Sequence, residues 1–355
     1  MLWARHIKKS RRRPAGLPAT VMEWPAWNNK HYTIRLSQDL VEIVTRDFPE
    51  DPAAIITKAH RNGTSHHPNV CEQLEWSFIQ FIYGSNRIET VGTSMCITIK
   101  LCRAVSHGVA VDAEIDDDSP EYEEHIPALV QSHRKGDMAG VIRSRKEVVQ
   151  HAKALAYLVD QVILEDEPIS EQLILDTHGF LCKNIDDETP VGEYRDYEVA
   201  VAYSKPGEKK KRAAQCMRAK AVPAYMANLV EHLNKEIAEA EDEAGGGGLD
   251  PCALAARFHH HFVMIRPFGD DNGRMTRLIM NVLFLKYTGY LSLFGHEDGD
   301  KEEYLAIVGR GRKIFDEEDM EVEFSRQASH LEFARYVLRK SELGLFQMWE
   351  RESLG

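Results

Sequence analysis

The stretch from Asp250 to Tyr290, DPCALAARFHHHFVMIRPFGDDNGRMTRLIMNVLFLKYTGY, limits the fold more than any other part of the chain. Asp250 is a favoured N-cap, and Pro251 follows at the first helical position, where a missing N–H costs nothing. The pattern predicts a helix through Ala253 to about Val263. Pro267 and the GDDNG run (269 to 273) break it, and a second helix runs from Asn272 or Gly273 to Gly289. Leu278, Ile279, Val282, Leu283 and Leu285 cover more than one face of that second helix, which suits burial at the centre of a helical domain. The fold class expected is all-α.

The turn between these helices carries the chemistry. Asn272 and Gly273, at a helix start, let backbone N–H groups converge on one concavity that fits phosphate oxygens. Asp270 and Asp271 offer hard oxygen ligands for magnesium. Arg274 and Arg277, three residues apart, share a helical face and suit phosphate as planar forks. The plain alternative is a helical corner with capping residues and solvated charges. His259, His260 and His261 are successive helical residues pointing about 100° apart, so they cannot all face one ion; His260 is expected to pack under the turn.

The run Arg266-Pro267-Phe268-Gly269-Asp270-Asp271-Asn272-Gly273-Arg274-Met275-Thr276-Arg277 resembles the signature of the Fic (Fido) family, H-P-F-x-[DE]-G-N-G-R-x-x-R. The flanking AARFHHHFVMI and LIMNVLFLKYTGY look like that family's helices. The resemblance implies a Fic-type helical domain with a short β-hairpin flap, and transfer of AMP from ATP to a Ser, Thr or Tyr hydroxyl of a protein. Asp270 would hold Mg²⁺, Asn272, Gly273 and Arg274 would cradle phosphate, and Arg277 would clamp the γ-phosphate. Two positions depart from the signature. Arg266 stands where the family has its base histidine, and a guanidinium cannot accept a proton near neutral pH. Loss of a general base lowers a rate by ~10²- to 10⁴-fold, although transfers at phosphorus depend mainly on positioning and electrostatics. Asp271 stands where glycine is usual; its carboxylate could repel phosphate, bind a metal or serve as a substitute base. The alternative function is a nucleotide-binding pseudoenzyme acting as a regulatory or partner-binding module. A more distant third is another phosphate-ester transfer, such as phosphocholination, which relatives with altered signatures perform.

Three further segments join the resemblance. The sequence SNRIE, Ser85 to Glu89, resembles the family's inhibitory motif [ST]-x-x-x-E-[GN], with Thr90 in place of Gly or Asn. In such proteins the glutamate pairs with the second signature arginine, here Arg277. Gly84-Ser85 is read as a break, with Ser85 capping a new helix. Residues 190 to 203, PVGEYRDYEVAVAY, alternate as a half-exposed strand does. They look like the flap that holds a target protein's backbone by strand addition, with Tyr194 and Arg195 in its G-x-Y-R opening. DKEEYLAIVGRGRK resembles the family's helix with a tyrosine, here Tyr304.

The remainder bounds the class. Residues 1 to 36 read by composition as a basic, disordered tail. Residues 37 to 142 hold a helical segment with the inhibitory motif and an acidic loop over 112 to 125, and 143 to 355 the core and C-terminal helices. A net charge of −12 argues against non-specific nucleic-acid and anionic-membrane partners. Cysteines 71, 96, 102, 182, 216 and 252 form no C-x-x-C pair and read as reduced, buried thiols of a cytoplasmic or nuclear protein. The Arg-rich start leaves a mitochondrial address open, as it does a nuclear one. Homo-oligomerisation is left open. His178, on the apolar face of 169 to 185, is expected to be a satisfied core histidine. KKKR (209 to 212) is expected at a solvated loop tip, and AGGGG (244 to 248) reads as a flexible linker.

Overall fold

A computed structural model describes residues 70–112, 114–185, 190–203, 212–241, 249–319 and 321–341. The basic tail, residues 37–69, most of KKKR and the AGGGG stretch lie outside them. The all-α expectation holds. In chain order the helices are α1 (Val70–Glu89), α2 (Met95–Ser106), α3 (Pro120–Gln131), α4 (Met138–Leu158), α5 (Glu171–Cys182), α6 (Val222–Glu241), α7 (Pro251–Ile265), α8 (Asn272–Thr288) and α9 (Asp300–Glu318). A tenth, α10, covers residues 331–341. After Leu158 the α4 ladder loosens into a π-helical stretch, Val159–Leu164.

Helix α8 is the axis of the molecule. All its residues except Gly273 and Lys286 are buried, and α7, α4, α1 and α5 pack around it. Its apolar residues, together with Phe258, Phe262, Leu155 and Ile82, belong to one continuous core. Burying aliphatic and aromatic side chains on this scale supplies about 1.5–3 kcal/mol for each, the main term that offsets chain entropy. The caps expected of α7 and α8 are in place. The Asp250 side chain accepts from the Ala253 N–H at 2.8 Å, and Gly289 ends α8 in the left-handed region at φ 80°.

Four expectations need correction. Helix α1 does not break at Gly84-Ser85 but runs unbroken for 20 residues. Gly84 is a contact point: a Cβ there would collide with the carbonyl oxygen of Phe294. The acidic stretch is not all loop either. Ser119 caps α3, accepting from Tyr122 N–H at 3.1 Å, and Pro120 opens the helix where proline is tolerated. The expected strand shrinks to β1 (Ala200–Tyr203), which pairs antiparallel with β2 (Arg212–Gln215), Ala200 opposite Gln215. Residues 190–199 are held elsewhere, because the Arg195 N–H donates to the Pro267 carbonyl at 2.9 Å. The five described cysteines are free, and Cys96 is exposed rather than buried.

Candidate functional site

The loop between α7 and α8 is fixed from beneath. The Asn272 side chain closes it, its Oδ1 accepting from Phe268 N–H and its Nδ2 donating to the Phe268 carbonyl, both at 2.9 Å. The amide of Asn272 is therefore occupied inside the loop; only its backbone stands at the helix start. Phe268 stacks flat on His178 at 3.8 Å. His178 accepts at Nδ1 from the Gly192 N–H (3.0 Å) and meets Cys182 Sγ at Nε2 (3.3 Å). Burial pushes its pKa down to about 4, so it is a satisfied core histidine.

Arg195 holds the loop from the side. It is buried, its Nε donates to the Arg266 carbonyl at 2.7 Å, and its Nη atoms donate to the carbonyls of Tyr197, Met217 and Ile265. Tyr194 donates to Glu171 Oε2 at 3.0 Å. Both G-x-Y-R side chains thus face inward, Arg195 onto the loop and Tyr194 onto Glu171. Under this grip Arg266 ends α7 with φ 50°, a left-handed conformation uncommon outside glycine.

Two arginines of α8 lie beneath the turn, each with its own carboxylate. Arg277 is 1 % exposed. Its Nε donates to Ser85 Oγ (2.9 Å), its Nη2 to the Ser85 carbonyl (3.0 Å) and to Glu89 Oε1 (2.7 Å). Its Nη1 donates to Tyr304 Oη at 3.3 Å, and its guanidinium lies 5.4 Å from the Tyr304 ring centre. Tyr304 Oη lies 3.0 Å from His259 Nε2. Burial holds that imidazole well below its usual pKa, so the ring is neutral. The Glu89 carboxylate lies directly over Gly273, where a Cβ would collide with it. It therefore covers the N-terminus of α8.

Arg274 is equally deep. Its Nε and Nη2 donate to Asp271 Oδ1 at 2.7 and 2.5 Å. Asp271 adopts φ 61°, and its Oδ2 accepts from Cys182 Sγ at 3.1 Å. Desolvation would raise the Asp271 pKa, but the charge and hydrogen bonds of Arg274, with the Cys182 donation, hold it below the usual range. A carboxylate with both oxygens engaged and a lowered pKa is a poor proton acceptor. Of the three roles left open for Asp271 (repelling phosphate, binding a metal, substituting for the base), the geometry favours none directly; it shows the carboxylate as the counter-ion of Arg274.

Asp270 stands at the mouth. Its Oδ1 accepts from the Asp271 N–H at 2.8 Å. Desolvation, then the Asp271 charge, raise its pKa. A divalent cation would relieve that repulsion, so the carboxylate chemistry fits Mg²⁺ at Asp270. These groups line a cleft of about 220 Å³ together with Arg143, Glu147, Cys182, Val191 and Leu305. The three histidines of α7 diverge: His259 reaches Tyr304, while His260 packs against Gly311 and Phe315 rather than under the turn. Among the described residues no group of His, Cys, Asp and Glu is arranged to hold a metal ion alone.

Two cleft residues escaped the sequence reading. Cys182 had a usable signal, since it follows His178 by four residues and shares its helical face. Glu147 had none. Its buried carboxylate accepts from Gly92 N–H (2.7 Å), Arg134 Nη2 (2.8 Å) and Arg143 Nε (3.2 Å), which ties the segment after Glu89 to α4.

Residues 168–284 match the sequence profile of the Fic/DOC family. Over 146 residues the chain is 29 % identical to protein adenylyltransferase fic-1 of Caenorhabditis briggsae and 27 % to its Caenorhabditis elegans counterpart. That stretch is 41 % of this chain and 25 % of either relative, so only a quarter of their length is matched. Among solved structures, a Fic-domain-containing signaling protein from Bacteroides thetaiotaomicron superposes with TM-score 0.59 at 20 % identity, over 82 % of this chain and 95 % of that one. Fic-1 from C. elegans gives 0.58 at 18 %, over 88 % and 76 %. At these identities the superpositions speak for the fold. The matched residues 168–284 contain the loop and both flanking helices, so this stretch carries a Fic/DOC-family domain, and the superpositions agree with its fold.

Proposed function

We propose that this Fic protein binds an adenine nucleotide with Mg²⁺ in the cleft and that its family reaction, transfer of AMP from ATP to a protein Ser, Thr or Tyr hydroxyl, is slowed by Arg266. The observation that carries this reading is the convergence of Asp270, the α8 N-terminus and Arg274 on one cleft, with Glu89 lying over Gly273 and bonded to the buried Arg277. Asp270 would hold the cation, which neutralises phosphate charge when bound. The N–H groups at Asn272 and Gly273 would take phosphate oxygens, and Arg277 would take the terminal phosphate once Glu89 leaves it. In the transfer, the target hydroxyl oxygen bonds to the α-phosphorus, the bond to the bridging oxygen breaks, and pyrophosphate departs. The hydroxyl proton has no acceptor at residue 266 and passes to water, so orientation supplies most of the rate. The hairpin β1–β2 borders the loop and would receive the target protein's chain as an added strand.

Glu89 is read as an inhibitory group, because it occupies the guanidinium that a γ-phosphate would need. A second reading rests on Arg266 itself: a signature with its base replaced suits a nucleotide-binding pseudoenzyme. α-Labelled ATP and Mg²⁺ with native protein, Glu89→Gly, Arg266→His and the double variant separate the two. Label on Glu89→Gly with Arg266 intact is the expected result and removes the pseudoenzyme reading. Label only after Arg266→His would overturn the enzymatic one.

A further inference from the structure

The two buried arginines of α8, Arg274 and Arg277, are neutralised by acids of different kinds. Glu89 ends a helix distant in sequence and is 37 % exposed, free to swing into water. Asp271 sits inside the turn, three residues before Arg274. Its backbone is held in the left-handed region between Asp270 and the pinned Asn272, and Cys182 occupies its second oxygen. Arg274 is 2 % exposed, and its remaining acceptor is the Glu147 carbonyl at 3.5 Å. A phosphate reaching Arg274 must displace Asp271 and then lie beside the displaced carboxylate, with Asp270 adjacent. The penalty grows with ligand charge.

We propose that Asp271 takes, from within the chain, the place of one ligand phosphate at Arg274, so that the cleft favours phosphate esters of low charge, nucleoside mono- and diphosphates, over a nucleoside triphosphate. The inference rests on the nucleotide reading above and names the class of ligand which that site selects.

Calorimetry with AMP, ADP and ATP in Mg²⁺ tests it on Glu89→Gly, where Arg277 is open, and on Glu89→Gly/Asp271→Asn. Asparagine tolerates the left-handed backbone and keeps an oxygen for Arg274, and a thermal melt verifies folding. Glu89→Gly should bind ADP at least as tightly as ATP. Adding Asp271→Asn should tighten ATP about 10- to 100-fold, the range of a charge-assisted hydrogen bond, with a smaller gain for ADP, so that the order reverses. An unchanged ATP-to-ADP ratio overturns the proposal and leaves the nucleotide reading standing. Weaker ATP binding in Mg²⁺ but not in EDTA overturns it too, by making Asp271 a metal ligand. Failure of all three nucleotides to bind either variant overturns both.

Discussion

The two sides of the α7–α8 pair bury polar groups in opposite ways. On the cleft side every buried charge has a partner: Arg277 has Ser85, Glu89 and Tyr304, and Arg274 has Asp271. On the far side α7 presents imidazoles to α9, α10 and the segment before it. His330 leaves both ring nitrogens without a hydrogen bond and His261 leaves Nε2 so. His260 makes no well-aligned bond, although its ring lies against the Gly311 main chain. The cations near this layer are Arg257, which is paired to Glu236, and His232, which stacks on Phe324 beside His261. A charge buried with its partner persists across the pH range. An imidazole buried without one is tolerated only while neutral.

The largest expected effect tests the histidine side. Burial first, then neighbouring cations for His261, hold His260 at about 4 and His261 at about 3. The unfolded chain takes up protons near 6.5, so their contribution is complete above that value and declines as pH falls towards 4. Between pH 6.5 and 5 the two together should remove about 3 kcal/mol. Denaturant titration at the two pH values reads the total slope, and His260→Gln with His261→Gln should reduce it by that amount, leaving the share of His330 and the other buried imidazoles. A slope unchanged by both substitutions would place the acid sensitivity elsewhere.

On the cleft side, Arg277→Met should lower stability by about 2–3 kcal/mol through the loss of its hydrogen bonds. The same loss at pH 7 and pH 5.5 sharpens the contrast, because a guanidinium stays charged; a marked pH dependence would break it. Gly84→Ala should remove about 1–3 kcal/mol by driving α1 off the Phe294 carbonyl, read as a lower melting temperature. A neutral outcome would mean that α1 is loosely seated. The smallest effect belongs to Cys182→Ala, under about 1 kcal/mol, because Asp271 retains Arg274 after losing the thiol donor. A larger loss would make that thiol essential to the Asp271–Arg274 pair.

The central helix–turn–helix was legible because its signals are local: Asp250 and Pro251 start one helix, and Gly289 ends the other in the backbone conformation glycine favours. The break expected at Gly84 failed because its glycine answers to Phe294, some 210 residues onward, and no local pattern records that contact. Ser119-Pro120 did carry a helix-start signal, and the run of acids around it hid the signal. Asp271 was legible as a departure from the signature, but not as the partner of Arg274. Which way its carboxylate turns depends on the left-handed backbone and on Cys182 from another helix. The inward grip of Arg195 on four carbonyls was equally invisible, since a strand pattern says nothing about what a long side chain reaches.

The unbroken course of α1 has a mechanical consequence. Gly84 seats the helix against Phe294, with Glu89 about 7.5 Å beyond that seat and Val70 about 21 Å before it, at 1.5 Å per residue. Were the helix to pivot as a rigid rod about that seat, Glu89 would move by roughly a third of any travel at the Val70 end, in the opposite direction.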